Sequence, residues 1–127
     1  MENKYLLIIE DNKIDTLVHT KIIQITRPDL EVVHAENGKV ALEVLESRDD
    51  LPVMILLDLI MPVMDGFEFL ENLAIVERYN NLLVTVLTTS TNLLDRKKAS
   101  AIYNISEYVI KPLTRDRFAE IYSNWHF

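Results

Sequence analysis

Strict alternation of strand-like and helix-like segments, with strand-like runs that are apolar throughout, predicts an α/β fold: a five-stranded parallel sheet wound on both faces by helices. The runs lie at 5–9, 30–35, 53–57, 82–87 and 105–110 and are rich in Val, Ile and Leu. A helical pattern follows each one, which calls for right-handed crossovers between parallel strands. At 127 residues the chain fits one domain, 1–127. A chain of this size hides roughly two-thirds of its unfolded surface, enough for a real core.

The first, third and fourth runs are nearly continuous, as strands buried on both faces are. The second alternates and carries Glu31 and His34, as an edge strand would. The first helix has an apolar stripe at Ile14, Leu17, Val18, Ile22 and Ile25. Asn12 is its N-cap, with Asp15 three residues on, and Pro28 ends it. His19 lies off that stripe and is expected to face solvent. Asn37 caps a second helix whose apolar residues are Ala41, Val44 and Leu45. A third helix runs from about Asp65 through Phe69, Leu70, Leu73 and Val76. The fourth, from Asn92 to about Ile102, is polar, and Arg96-Lys97-Lys98 reads as a solvated face or a meeting point for an acidic partner. The fifth begins at Thr114 and buries Phe118, Ile121, Tyr122 and Trp125, with Phe127 left open.

Composition narrows the function. No cysteine is present, which excludes a disulfide scaffold, a thiolate metal site and a cysteine nucleophile. A net charge of −7 argues against direct binding to nucleic acid, where affinity comes largely from phosphate neutralisation. Two glycines, Gly38 and Gly66, cannot make a P-loop or a GxGxxG loop. The longest apolar stretch is interrupted by Asp58 and is too short to span a bilayer, and the amino end lacks a signal-peptide core. These features predict a soluble cytoplasmic protein without a membrane partner.

Ligands of open α/β sheets bind beyond the carboxyl ends of the strands. There the sequence places Glu10-Asp11 after the first strand, Asp58 after the third, Thr88-Thr89-Ser90 after the fourth and Lys111-Pro112 after the fifth. Converging carboxylates repel and are costly together without a cation. Oxygen ligands without His or Cys suit Mg2+. Lys111 supplies a point charge for a phosphate oxygen, and the Thr88 hydroxyl a hydrogen bond. This is equipment for phosphoryl transfer, in which a carboxylate can be the nucleophile and form an aspartyl-phosphate. Each residue alone has an ordinary explanation: Glu10-Asp11 as a helix-dipole pair, Thr88 and Ser90 as strand-end residues, Lys111 as a surface lysine. Asp58 is harder to dismiss, since an unpaired buried carboxylate is expensive. Convergence on one rim carries the argument.

These stretches resemble the response-regulator receiver domain of two-component signal transduction, of the stand-alone, chemotaxis-regulator-like kind. The matching motifs are Leu7-Ile8-Ile9-Glu10-Asp11-Asn12, Leu56-Leu57-Asp58-Leu59-Ile60-Met61-Pro62-Val63-Met64-Asp65-Gly66, Val86-Leu87-Thr88-Thr89-Ser90 and Tyr108-Val109-Ile110-Lys111-Pro112, in the family's order and spacing. The resemblance implies strand order 2-1-3-4-5 in a flavodoxin-like, doubly wound (βα)5 three-layer sandwich. It implies that Asp58 accepts a phosphoryl group from a sensor histidine kinase or phosphotransfer protein. It also implies that Asp11, Asp58 and the backbone carbonyl of Ile60 hold Mg2+ directly, with Glu10 acting through water. Lys111 then pairs with the phosphoryl group, Thr88 turns toward it, and Tyr108 changes rotamer in concert. That alters the face made by the fourth helix, fifth strand and fifth helix, which controls a downstream protein partner whose identity the residues do not give. A homodimer through that face is compatible with the resemblance. A cis Lys111-Pro112 bond is also implied.

Four departures from the family pattern stand out. Glu10 replaces a common aspartate. Thr89 replaces a small residue, which narrows access to the phosphoryl group. Asn104-Ile105-Ser106-Glu107 replaces a turn that usually contains glycine. Ile60 cannot orient an attacking water, so the phosphorylated form is expected to hydrolyse slowly. The chain is expected to catalyse only its own phosphorylation and dephosphorylation. A Mg2+-dependent phosphatase has too little chain for a substrate pocket, and a flavin binder is opposed by Glu10-Asp11, which would repel the cofactor phosphate. A degenerate receiver is opposed by intact Asp11, Asp58, Thr88 and Lys111. The chain is expected to be a stand-alone receiver or an excised piece of a longer protein.

Overall fold

The computed structural model describes residues 4–124. Strands β1 (Tyr5–Ile9), β2 (Glu31–Ala35), β3 (Met54–Leu57), β4 (Val84–Thr88) and β5 (Ile105–Ile110) alternate with five helices. These are α1 (Lys13–Thr26), α2 (Gly38–Ser47), α3 (Gly66–Ala74), α4 (Leu93–Ile102) and α5 (Arg115–Ser123). All strand pairs are parallel and the order is β2-β1-β3-β4-β5, so the expected doubly wound fold is present. A short 3-10 turn at Glu77–Tyr79, not anticipated, links α3 to β4.

Caps fix where the helices start. Asn12 accepts from the Asp15 N–H, Asn37 from Val40, Asn92 from Leu94 and Thr114 from Arg117. Asp65 and Glu68 form a reciprocal capping box on α3. Val76, assigned to that helix's apolar face, lies beyond its end and is 39% exposed, because the chain has already turned toward Glu77–Tyr79.

The sheet separates two cores. On one side Tyr5, Leu7 and Ile9 pack with Phe69, Leu70 and Leu73 of α3 and with Ala41 and Leu45 of α2. On the other, Leu6 and Ile8 pack with Ile23 of α1 and with Phe118 and Ile121 of α5. This alternation along β1 explains its fully apolar sequence. β2 is an edge strand with Glu31 and His34 exposed, as expected. Between β4 and β5 the register slips: Val84 faces Ile105 and Thr85 faces Glu107, leaving Ser106 unmatched.

The first helix corrects two expectations. Ile14, Leu17, Val18 and Ile25 of the apolar stripe are outside, at 45–74% exposed, while His19 and Ile23 are buried. Helical periodicity identifies a face but not the direction in which it points. Here the inward face starts with polar Asp15 and His19, which find partners beyond β5, so the inward side does not look apolar. His19 is 2% exposed, not solvent-facing; its Nε2 accepts the Leu113 N–H at 3.4 Å. The assignments of Trp125 and Phe127 lie outside the described residues. Among the described residues no helix is long and apolar enough to cross a membrane.

Candidate functional site

Backbone hydrogen bonds carry the parallel ladder one residue past the strand ends. The Asp58 N–H donates to the Ile9 carbonyl at 3.0 Å, Glu10 N–H to Ala35 at 3.0 Å, and Lys111 N–H to Thr88 at 2.8 Å. The residues that follow β1, β3 and β5 are therefore locked to their neighbours at the same edge. Glu10, Asp11 and Asp58 each offer a carboxylate oxygen, and these atoms all lie within 4.8 Å of one another. Glu10 and Asp58 are buried while Asp11 is exposed, leaving one open side.

Lys111 is the counter-charge. Its Nζ donates to Glu10 Oε1, to Asp15 Oδ2 at 2.9 Å and to Asp58 Oδ2 at 3.4 Å. Burial alone would lower its pKa, but hydrogen bonds to Glu10 and Asp15 and the charge of Asp58 more than offset that, so the ammonium is held protonated. Burial pushes the Glu10 carboxyl up to about 7; the Lys111 hydrogen bond opposes the rise and neighbouring Asp58 adds to it. Three carboxylates contact Lys111, and Asp11 adds a fourth to the cluster, so the pocket is net negative and a divalent cation would neutralise it. The donor set is all oxygen, which fits a hard cation such as Mg2+ or Mn2+.

Asp58 Oδ1 accepts the Ile60 N–H at 3.3 Å, while the Ile60 side chain is 62% exposed. Thr88 is fully buried at the end of β4, and its hydroxyl accepts the Ser90 N–H at 3.2 Å. Thr89, next to it, is exposed. Ser90 Oγ donates to Asp95 Oδ2 at 2.7 Å, joining the loop after β4 to α4. Tyr108 opposes Val86 on β5, and the Arg96 guanidinium stands 5.4 Å from its ring centre. Its hydroxyl is buried near Ser90 without a well-formed hydrogen bond. Burial and the nearby charge of Asp95 hold its pKa above the usual phenol range. The Lys111-Pro112 peptide is cis. Arg96, Lys97 and Lys98 are exposed, with Lys98 Nζ 4.2 Å from the Phe67 ring centre.

Glu10, Asp58, Lys111 and Asp11 thus meet at one rim, with Thr88 at the adjoining strand end. Reading the residues alone missed Asp15 as a partner of Lys111 and His19 as a partner of the Leu113 backbone. Asp15 was visible only as a residue beside the helix cap. Two acid or imidazole side chains at i and i+4 on a face with few apolar residues were the available signal.

Comparison with known proteins agrees with this geometry. The family model described as "response regulator receiver domain" matches residues 6–123. A probable methanogenesis regulatory protein, FilR2 of Methanothrix harundinacea, is 33% identical over 113 residues, 86% of this chain and 72% of its own length. The sensor histidine kinase CheAY of Helicobacter pylori is 29% identical over 84% of this chain, which spans only 13% of that protein. Among solved structures, a two-component response regulator from Legionella pneumophila superposes with a TM-score of 0.86 at 26% identity, covering 95% of this chain and 96% of that one. The phosphorylated cyanobacterial phytochrome response regulator RcpA gives 0.81 at 26%, covering 97% and 91%. The Mn2+-bound form of response regulator Rcp1 gives 0.79 at 27%, covering 94% and 90%.

Proposed function

The chain belongs to the response regulator receiver family, and on that premise we propose that it is a phosphorylation-controlled switch in which Asp58 is the phosphoryl acceptor. The observation that carries this reading is the position of the Asp58 carboxylate, among Glu10 and Asp11 and within reach of Lys111 Nζ. An Asp58 oxygen attacks phosphorus of a phosphohistidine on a sensor kinase or phosphotransfer protein. The new O–P bond forms as the P–N bond breaks, and the imidazole leaves with the electron pair and takes up a proton. Glu10, Asp11, Asp58 and the Ile60 carbonyl would hold Mg2+, which supplies charge neutralisation between the carboxylates and the phosphoryl oxygens. The occurrence of a phosphorylated and a Mn2+-bound relative supports both parts.

Lys111 binds a phosphoryl oxygen and orients it by charge. The Thr88 hydroxyl, released from Ser90, donates to another. Loss of the Ser90 contact loosens the loop that Ser90 ties to Asp95 at the start of α4. Tyr108, its hydroxyl near Ser90 and its ring under Arg96, then resettles, and the α4–β5–α5 face changes what it binds: a downstream protein or a second copy. The chemistry is self-directed, once per cycle, in the cytoplasm.

The test is incubation with Mg2+ and acetyl phosphate or beryllofluoride, read by intact mass and by amide NMR. A modified mass and shifts around Asp58 and Thr88 are expected, and both vanish in Asp58→Asn. An unresponsive parent protein overturns the proposal.

A further inference from the structure

The inward face of α1 carries a carboxylate outside the acidic cluster. Asp15 Oδ2 accepts from Lys111 Nζ at 2.9 Å, shorter than the 3.4 Å from Nζ to Asp58. The Lys111 side chain is 9% exposed and that of Asp15 36%. We propose that Asp15 is a positioning residue for Lys111, aiming its ammonium at the phosphoryl group on Asp58; this rests on the reading of Asp58 as acceptor.

An ammonium has three N–H bonds in fixed tetrahedral directions. Glu10 takes one and Asp15 a second. The third is left for Asp58 Oδ2, 3.4 Å from the nitrogen. With Glu10 alone, the nitrogen at the end of a flexible four-carbon stem would swing about a single contact. The backbone is secured from the same helix: one turn beyond Asp15, His19 Nε2 accepts the N–H of Leu113, two residues past Lys111. The face of α1 thus grips this loop at a side chain and at a main-chain N–H. A carboxylate in the first turn also suits the helix dipole, but that role is met equally by a side chain pointing outward. Asp15 points inward.

The test compares the parent with Asp15→Asn and Asp15→Ala. Both variants lose the same charge, so any difference between them reports the lost acceptor and not altered attraction of an anion. Beryllofluoride affinity is measured by NMR titration with Mg2+, alongside the Lys111 ammonium signal in nitrogen-labelled protein and a thermal melt. Asp15→Asn should bind within about threefold of the parent and keep a protected ammonium signal; Asp15→Ala should bind roughly tenfold more weakly and lose it. Asp15→Ser, with a shorter acceptor, should fall between them and provides the comparison should the alanine variant not fold. Equal affinities across the variants, or changes in melting temperature alone, overturn the positioning role. An unresponsive parent instead overturns the reading of Asp58.

Discussion

A Cβ on Gly66 would lie 2.6 Å from the carbonyl oxygen of Asp58, the residue proposed to be phosphorylated. The same atom would sit 2.7 Å from Leu59 Cα, and the Gly66 N–H donates to the Leu59 carbonyl at 3.0 Å. The start of α3 therefore presses on the acceptor's own backbone, and only a residue without a side chain fits. Gly66→Ala should destabilise by about 1–3 kcal/mol and displace Asp58, read as a lower urea midpoint and slower phosphorylation. Gly38→Ala should cost less, because the nearest atom there is the flexible Met64 side chain at 2.8 Å. A larger loss at Gly38 would contradict this account.

The raised Glu10 carboxyl makes metal-free stability depend on pH. Its value of about 7 in the folded chain exceeds the ordinary 4.5, so the folded state keeps a proton that the unfolded state releases between those values. Stability without metal should be greatest below about 4.5 for this group and fall as pH rises to about 7. Mg2+ acts in the opposite direction, and its gain in melting temperature should exceed that at about pH 5.5 by some 4 °C or more at about pH 8. Glu10→Gln should flatten that pH dependence. Equal gains at both pH values would refute it.

His19 acts on the acid side. Burial lowers its pKa below 6.5, with Asp15 opposing and Lys111 adding to the shift. The unfolded chain binds a proton that the folded chain resists, so stability is full above about 6.5 and declines as pH falls below it. His19→Gln, which keeps an acceptor for the Leu113 N–H, should remove this decline in melts recorded from about pH 7 to pH 5.

The Ile60 side chain, two residues past Asp58, is mostly exposed, and its N–H donates to Asp58 Oδ1 at 3.3 Å. It offers no group to aim a water at phosphorus. The phosphorylated protein should therefore lose its label slowly after the donor is removed. Ile60→Asn, which adds a group able to orient a water, should shorten the lifetime. An unchanged decay in intact-mass time courses would show that another group controls hydrolysis.

The solvent-exposed stripe on α1 shows why part of the molecule was not legible in the residues. Buried β1, β3 and β4 were readable because strands covered on both sides must be apolar throughout. Asp58, Lys111 and Glu10 were readable because the ends of parallel strands share one edge. On α1, periodicity gave the stripe but not its direction, since inward Asp15 meets Lys111 and His19 Nε2 meets the Leu113 N–H, almost 100 positions away. Such partners are invisible until the chain is folded.

The unmatched Ser106 has a consequence for chain length. Beyond it β5 pairs without interruption from Glu107 to Ile110, and Lys111 closes on Thr88. The slip takes up one residue of mismatch at Ser106, between Ile105 facing Val84 and Glu107 facing Thr85. A single deletion between Glu107 and Ile110 has no such buffer. It would turn Lys111 to the opposite side of the sheet, away from Asp58, while leaving the sequence motif itself intact.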